Sequence, residues 1–86
     1  MVERGEELSL DPHNVALGRA VRTFREAVAL TPEELAGRAE LALDALKEIE
    51  AGKVEARWGD LRRISYGLKI QLPQLMALGE KFADRM

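Results

Sequence analysis

Residues 31–52, TPEELAGRAELALDALKEIEAG, decide the fold of this chain. Thr31 and Glu34 have the spacing of a capping box, in which each residue hydrogen-bonds the backbone N–H of the other. Pro32 suits the first position of a helix, where no intrahelical N–H is needed. These start signals predict a short helix over residues 31–39.

A second short helix is predicted over residues 43–51. Only Glu40, Leu41 and Ala42 separate it from the first, and Gly52 follows it in the manner of a left-handed glycine that ends a helix. Each helix would be only about 12–14 Å long at 1.5 Å per residue. Helices of that length are unstable alone, so the pair needs a platform of other helices.

The flanking sequence supplies that platform, because apolar residues recur three and four positions apart on both sides. The stripes are Leu17, Val21, Phe24 and Val28 in a first helix, Trp58, Leu61, Ile64 and Leu68 in a fourth, and Leu75, Leu78 and Phe82 in a fifth. We expect the first helix to start at Asn14, the fifth to start near Pro73, and Trp58 to anchor the core. The sequence predicts an all-α, compact five-helix domain with one core.

The first part of the chain shows no such period. Residues 1–14 are polar and acidic, and we interpret them as a flexible N-terminal arm. Residues 15–86 then form the single domain, with the pair of short helices at about 31–51.

Composition excludes several classes of function. The 86 residues contain no cysteine and one histidine, His13, which we interpret as a surface residue. We therefore expect no metal site, no cofactor, no catalytic residues and no enzymatic activity. No apolar run approaches the roughly 20 residues of a membrane span, and no signal peptide is evident, so we expect a cytoplasmic protein without a membrane partner.

The net charge of −2 hides an uneven distribution. Residues 31–50 hold two basic and six acidic side chains, whereas residues 51–69 hold five basic and two acidic ones. A short exposed helix on a compact platform has the geometry that enters a DNA major groove, and a nucleic-acid hypothesis must account for the acidic block.

A longer pattern connects these elements. It reads Leu17-Gly18-x-x-Val21-Arg22-x-x-Arg25, then Leu30-Thr31-x-Glu33-Glu34-Leu35-Ala36, then Leu41, Leu46 and Ile49-Glu50-x-Gly52, and finally Leu61-x-x-Ile64-x-x-x-Leu68-x-Ile70. Residues 16 to about 76 resemble the Cro/C1-type helix-turn-helix domain, also called the XRE family. The resemblance implies a lambda-repressor-like fold and a transcriptional regulator that binds double-stranded operator DNA as a homodimer.

The resemblance also implies roles for individual residues. Arg25 and Glu50 match the ion pair that holds the third helix to its platform. The DNA-facing positions on and before that helix are occupied by Ala42, Leu43, Asp44, Ala45, Lys47 and Glu48. Phosphate contacts are implied for the loop that follows, at Lys53 and Arg57. We expect Lys47, Lys53 and Arg57 to contact phosphates, and Leu43, Asp44 and Glu48 to contact base edges.

The sequence departs from the family pattern at several of these positions. Pro32 stands where a glutamine commonly reaches a phosphate, and it has no N–H to offer. Ala29 and Glu40 stand where glycine is common, which predicts a local backbone that differs from the family's. Asp44 and Glu48 bring negative charge to a helix that would face phosphates.

Two interpretations of the charged residues remain open. Lys53, Arg57, Arg62 and Arg63 either form a basic rim for phosphates, joined by Arg19 and Arg22, or are a solvated surface paired with Glu55 and Asp60. An alternative function follows from the acidic second and third helices, since such a face would suit a basic protein partner in a domain repurposed as a protein-interaction module.

The C-terminal helix has more apolar side chains than one buried stripe requires. Met76, Ala83 and Met86 fall beside the stripe that covers the core. We expect homodimerisation through this helix.

Overall fold

Five helices account for most of residues 11–85, the part of the chain that the computed structural model describes. They are α1 (Pro12–Ala27), α2 (Pro32–Ala39), α3 (Leu43–Glu50), α4 (Trp58–Leu68) and α5 (Leu72–Asp84), and no strand occurs among the described residues. The expected all-α, five-helix fold is confirmed. Residues 1–10 of the predicted arm, and Met86, lie outside the described residues.

The helix starts follow local capping rules. At α2 the Thr31 hydroxyl accepts from the Glu34 N–H at 3.0 Å, and the Glu34 carboxylate accepts from the Thr31 N–H at 2.8 Å. The expected start of α1 at Asn14 is wrong, because Asp11 caps that helix by accepting from the His13 N–H at 2.8 Å. Pro12 then occupies the first helical position, so residues 12–14 belong to α1 rather than to an arm.

Four of the helices end in the same way, with a left-handed residue followed by a return hydrogen bond. The left-handed residues have φ of 60° at Ala29, 57° at Glu40, 75° at Gly52 and 61° at Lys69. After each of them, the next backbone N–H bonds a carbonyl five residues back. The expected change of backbone at Ala29 and Glu40 is therefore wrong, since both residues adopt the conformation that glycine favours. The apolar residues Leu30, Leu41 and Ile70, which follow three of these turns, pack against the core.

The core lies where α1, α2, α4 and α5 meet, and α3 packs on α1 and α2. The largest fully buried side chains are Val21, Leu35, Leu46, Ile64 and Leu75. The prediction that Val28 and Trp58 lie in the core is wrong. Val28 is 48% exposed because it lies one residue beyond the end of α1. Trp58 is 68% exposed because it lies in the first turn of α4 and is displaced around the helix from the buried stripe of Leu61, Ile64 and Leu68.

A buried ion pair joins α1 to the last turn of α3. Arg25 donates from Nε and Nη2 to the two carboxylate oxygens of Glu50, at 2.8 and 3.0 Å, and from Nη1 to the Leu30 carbonyl at 2.9 Å. The Arg25 and Glu50 side chains are each only 10% exposed. This hydrogen bond with Glu50 raises the pKa of Arg25 above its ordinary value, so the guanidinium stays charged.

The backbones of α1 and α3 also touch directly. A Cβ placed on Gly18 would collide with the carbonyl oxygen of Ile49 and would lie 2.7 Å from that of Glu50. Only glycine permits this approach. Gly18 and Arg25 together hold the C-terminal turn of α3 against α1.

Replacing Ala29 by glycine should stabilise the protein. The substitution relieves a left-handed alanine while making the unfolded chain somewhat more flexible, for an expected net gain of about 0.5–1 kcal/mol. Urea denaturation followed by circular dichroism measures this gain. The matched control, Ala77→Gly in the exposed interior of α5, should lose about 1 kcal/mol. If Ala29→Gly and Ala77→Gly lose the same free energy of unfolding, the inference that Ala29 is strained is wrong.

Replacing Glu50 by alanine should cost about 3 kcal/mol of unfolding free energy, because the guanidinium of Arg25 would stay buried without its partner. Glu26→Ala is the control, since Glu26 pairs with Arg22 at 3.0 Å but the two side chains are 56% and 64% exposed. That variant should lose less than about 0.5 kcal/mol. Similar losses for Glu50→Ala and Glu26→Ala would show that the buried pair does not hold α3.

Candidate nucleic-acid interface

The solvent-facing side of α3 brings together three of the six predicted DNA-contacting residues. Leu46 and Ile49 turn into the core, and Asp44, Lys47 and Glu48 are exposed on the opposite side of the helix. Positions three and four apart share one helix face, so these three side chains project in a common direction. We refer to Asp44, Lys47 and Glu48 as the α3 face.

Leu43 has a different position from the other predicted base contacts. It is the first residue of α3, is half-buried, and packs against the core. Only part of its side chain is available for an apolar contact at the helix start.

The loop after α3 holds Lys53 next to the end of that helix. The Lys53 N–H bonds the Glu48 carbonyl at 3.0 Å, and the Gly52 N–H bonds the Ile49 carbonyl at 3.0 Å. These backbone bonds fix the position of residue 53, and its exposed side chain places a positive charge near the negative end of the α3 dipole.

Arg57 is the residue that precedes α4. Its backbone N–H donates to the Asp60 carboxylate at 3.2 Å, which defines the start of the helix. The exposed Arg57 side chain is close in sequence to Asp60, so a carboxylate shares the first turn of α4 with this arginine.

Two other predicted members of the basic rim, Arg19 and Arg22, have partners on the helices. The Arg19 guanidinium lies over the Phe82 ring, 4.7 Å from its centroid, and Arg22 pairs with Glu26. Arg62 and Arg63 line a hollow with Arg38 and Tyr66 between α2 and α4. The structure thus places Lys53 and Arg57 in the loop after α3 and groups Arg62 and Arg63 with Arg38 and Tyr66.

Charges near this face are nearly balanced. Two carboxylates, on Asp44 and Glu48, stand against three cations, on Lys47, Lys53 and Arg57. Among the described residues, none of these five side chains forms an ion pair within 4.0 Å of a described partner. Within residues 11–85, therefore, none of the five charges is neutralised by a partner side chain.

Pro32 limits what α2 adds to this surface. It occupies the first position of α2 and is half-buried, and it has neither a side-chain donor nor an N–H. A phosphate near this helix start would depend on later backbone amides.

An exposed apolar groove adjoins the Arg57 end of this surface. Trp58 lines it together with Arg62, Leu72, Pro73 and Met76, and we call it the Trp58 groove. The Trp58 groove was not predicted from the sequence, because Trp58 was expected to lie in the core. The signal available was the position of Trp58 directly after a cap, where a helix begins to project from its neighbours.

Neither a metal site nor a membrane span is found among the described residues. Within residues 11–85, no three histidine or acidic side chains are grouped closely enough to hold a metal ion. None of the described helices combines the length and apolar character needed to cross a membrane.

Solved structures of similar fold include one described as a gene regulator and one described as a restriction-modification controller protein. Two crystal structures of the clp gene regulator ClgR from Corynebacterium glutamicum match with TM-scores of 0.77 and 0.81 and identities of 26% and 25%. They cover 80% and 85% of this chain and 90% and 78% of those chains. The restriction-modification controller protein C.AhdI from Aeromonas hydrophila matches with a TM-score of 0.71 and 24% identity, covering 72% of this chain and 94% of its own. No curated protein sequence matches the chain significantly.

A family model described as a helix-turn-helix domain matches residues 16–78. This stretch includes all of α2 and α3, the connection between them, and the platform formed by α1, α4 and most of the buried part of α5. The chain therefore belongs to the helix-turn-helix domain family, with the Cro/C1 (XRE) arrangement of that motif.

Proposed function

We propose that this protein is a transcriptional regulator that binds operator DNA as a homodimer, with α3 in the major groove. The observation that carries the proposal is the α3 face itself. Three exposed side chains, none of them ion-paired within residues 11–85, project from a short helix that is held rigidly by Arg25 and Gly18, and Lys53 and Arg57 lie in the loop that follows this helix. The regulator ClgR, with a similar fold, supports the same assignment.

In this proposal the residues divide their roles by charge. Lys47, Lys53 and Arg57 neutralise phosphates, which supplies affinity without sequence preference. Asp44 and Glu48 read base edges, since a carboxylate accepts from the amino group of cytosine, and Leu43 adds an apolar contact. The carboxylates also repel phosphates, so weak and selective binding should result.

The dimer is proposed to form at the Trp58 groove rather than along the C-terminal half of α5. Met76 is 37% exposed at this groove, whereas Ala83 is half-buried beside His13 in another hollow. A two-fold interface needs a patch that complements itself, and a protruding tryptophan next to a shallow apolar groove meets that need. Because Trp58 directly follows Arg57, an interface here would bring the phosphate contacts of two copies close together.

Anisotropy titration against a random-sequence duplex pool, with selection of the bound fraction, tests the proposal. Salt-sensitive binding that enriches a palindrome with half-sites about one helical turn apart, roughly 34 Å, is the expected result. No binding to any duplex at low salt would refute it. A basic protein that co-purifies and is lost in Glu48→Lys would then favour the alternative, a protein-interaction module that uses the acidic α2–α3 surface.

Arg57→Ala should weaken binding to all duplexes by about five- to tenfold per protomer and reduce the salt slope by about 1. Titrations of operator and random duplexes at several salt concentrations measure both quantities. Lys81→Ala is the matched control, because it removes one exposed cation from α5. An unchanged affinity and slope in Arg57→Ala would remove Arg57 from the site.

Trp58→Ser should raise the dimer dissociation constant at least about tenfold, because a central aromatic contact is lost. Sedimentation equilibrium over a concentration series measures it. Tyr66→Ser is the control, since Tyr66 is 80% exposed but lies outside the Trp58 groove. If both variants dimerise as the parent does, the interface lies elsewhere.

A further inference from the structure

At a second surface, formed by α2 and α4, positively charged side chains surround an exposed tyrosine. Tyr66 is 80% exposed, and two adjoining hollows share Tyr66 and Arg38 as walls. We call this surface the Tyr66 patch; its other charged members are Glu40, Arg62, Arg63 and Lys69.

The charge of the Tyr66 patch is not neutralised within the described structure. Its four cations stand against one carboxylate, in a chain whose net charge is −2. Among residues 11–85, none of these cations forms an ion pair within 4.0 Å of a described carboxylate, whereas Arg22 and Arg25 each have a partner. Within residues 11–85, therefore, positive charge without an ion-pair partner is concentrated at this place.

Close packing between α2 and α4 fixes the geometry of the patch. A Cβ on Gly67 would lie 3.0 Å from Leu35 Cδ1 and 3.2 Å from Arg38 Cβ. The absence of a side chain at residue 67 lets α2 approach α4, and this approach places Arg38 beside Tyr66. The packing of α2 against α4 therefore fixes the backbone positions from which Arg38 and Tyr66 project.

We propose that the Tyr66 patch binds an acidic segment of a protein partner. Arginine and tyrosine are the residue types enriched where protein interfaces concentrate their binding energy. Planar guanidinium groups donate two parallel hydrogen bonds to a carboxylate, and the exposed tyrosine ring offers an apolar surface beside them. This proposal does not depend on DNA binding by α3.

The spacing of the cations also defines the shape of the ligand. Residues 62 and 69 are separated by about 10 Å along α4 at 1.5 Å per residue. This length matches two turns of a partner helix with carboxylates three or four residues apart. A nucleic-acid backbone fits less well, because it carries a negative charge at every nucleotide and Glu40 at the edge of the patch would repel one of them, whereas a protein segment can place a neutral or basic residue at Glu40.

Fluorescence polarisation with the full chain tests the proposal. The probe is a labelled helical peptide with glutamates at every third or fourth position and one central phenylalanine. The control probe is the same peptide with every glutamate replaced by glutamine. The glutamate peptide should bind at low salt at least about tenfold more tightly than the glutamine peptide, and Tyr66→Ala and Arg63→Glu should each weaken that binding at least about tenfold.

Lys81→Glu is the matched control, because it makes the same charge change on α5, and it should alter the affinity less than about twofold. Circular dichroism verifies that each variant is folded, which is expected because the substituted side chains are exposed. Equal binding of the two peptides would overturn the proposal. Equal weakening by Lys81→Glu and Arg63→Glu would also overturn it, by showing a non-specific effect of charge. Loss of duplex binding in Arg63→Glu with no change in peptide binding would overturn it in favour of a nucleic-acid surface.

Discussion

The orientation of α3 depends on one buried contact, where Arg25 and Gly18 of α1 meet the last turn of that helix. An eight-residue helix cannot hold its own shape, so its direction must be imposed from outside. The Arg25 guanidinium joins Glu50 of α3 to the Leu30 carbonyl in the turn after α1, and Gly18 lets the two backbones touch. Together they present Asp44, Lys47 and Glu48 to solvent in a fixed direction.

The charges of the molecule are separated into surfaces with different chemistry. The α3 face together with Lys53 and Arg57 is nearly balanced, with two carboxylates and three cations, whereas the Tyr66 patch has four cations and one carboxylate. Salt screens exposed charges from one another beyond about 8 Å at physiological ionic strength, so the local balance of charge matters more for binding than the total. A net charge of −2 therefore gives little information about what the protein binds.

Local signals in the sequence were sufficient to predict the two short helices, because a capping box and a three-residue connection are short-range features. The family pattern gave the pairing of Arg25 with Glu50. Burial at helix ends was harder to predict, because periodicity does not show how far a helix extends past its neighbours, and so Trp58 was misplaced.

The left-handed conformations of Ala29 and Glu40 were also not predicted. A cost of about 1 kcal/mol at each is outweighed by the return hydrogen bonds and by the burial of the apolar residue that follows. The Tyr66 patch is built from α2 and α4, and pattern within a single helix does not reveal a surface shared by two.

The backbone contact at Gly18 also affects how the domain tolerates sequence change. Side chains in a core can be exchanged for others of similar volume, and helices that rest on them shift when that happens. Where α1 meets α3, no side chain lies between the helices at residue 18, so the distance between them is set by the hard surfaces of the main chain. Most of the core can therefore diverge while the direction of α3 is retained. Regulators only 24–26% identical to this chain still superpose with TM-scores of 0.71–0.81, as such a contact would allow.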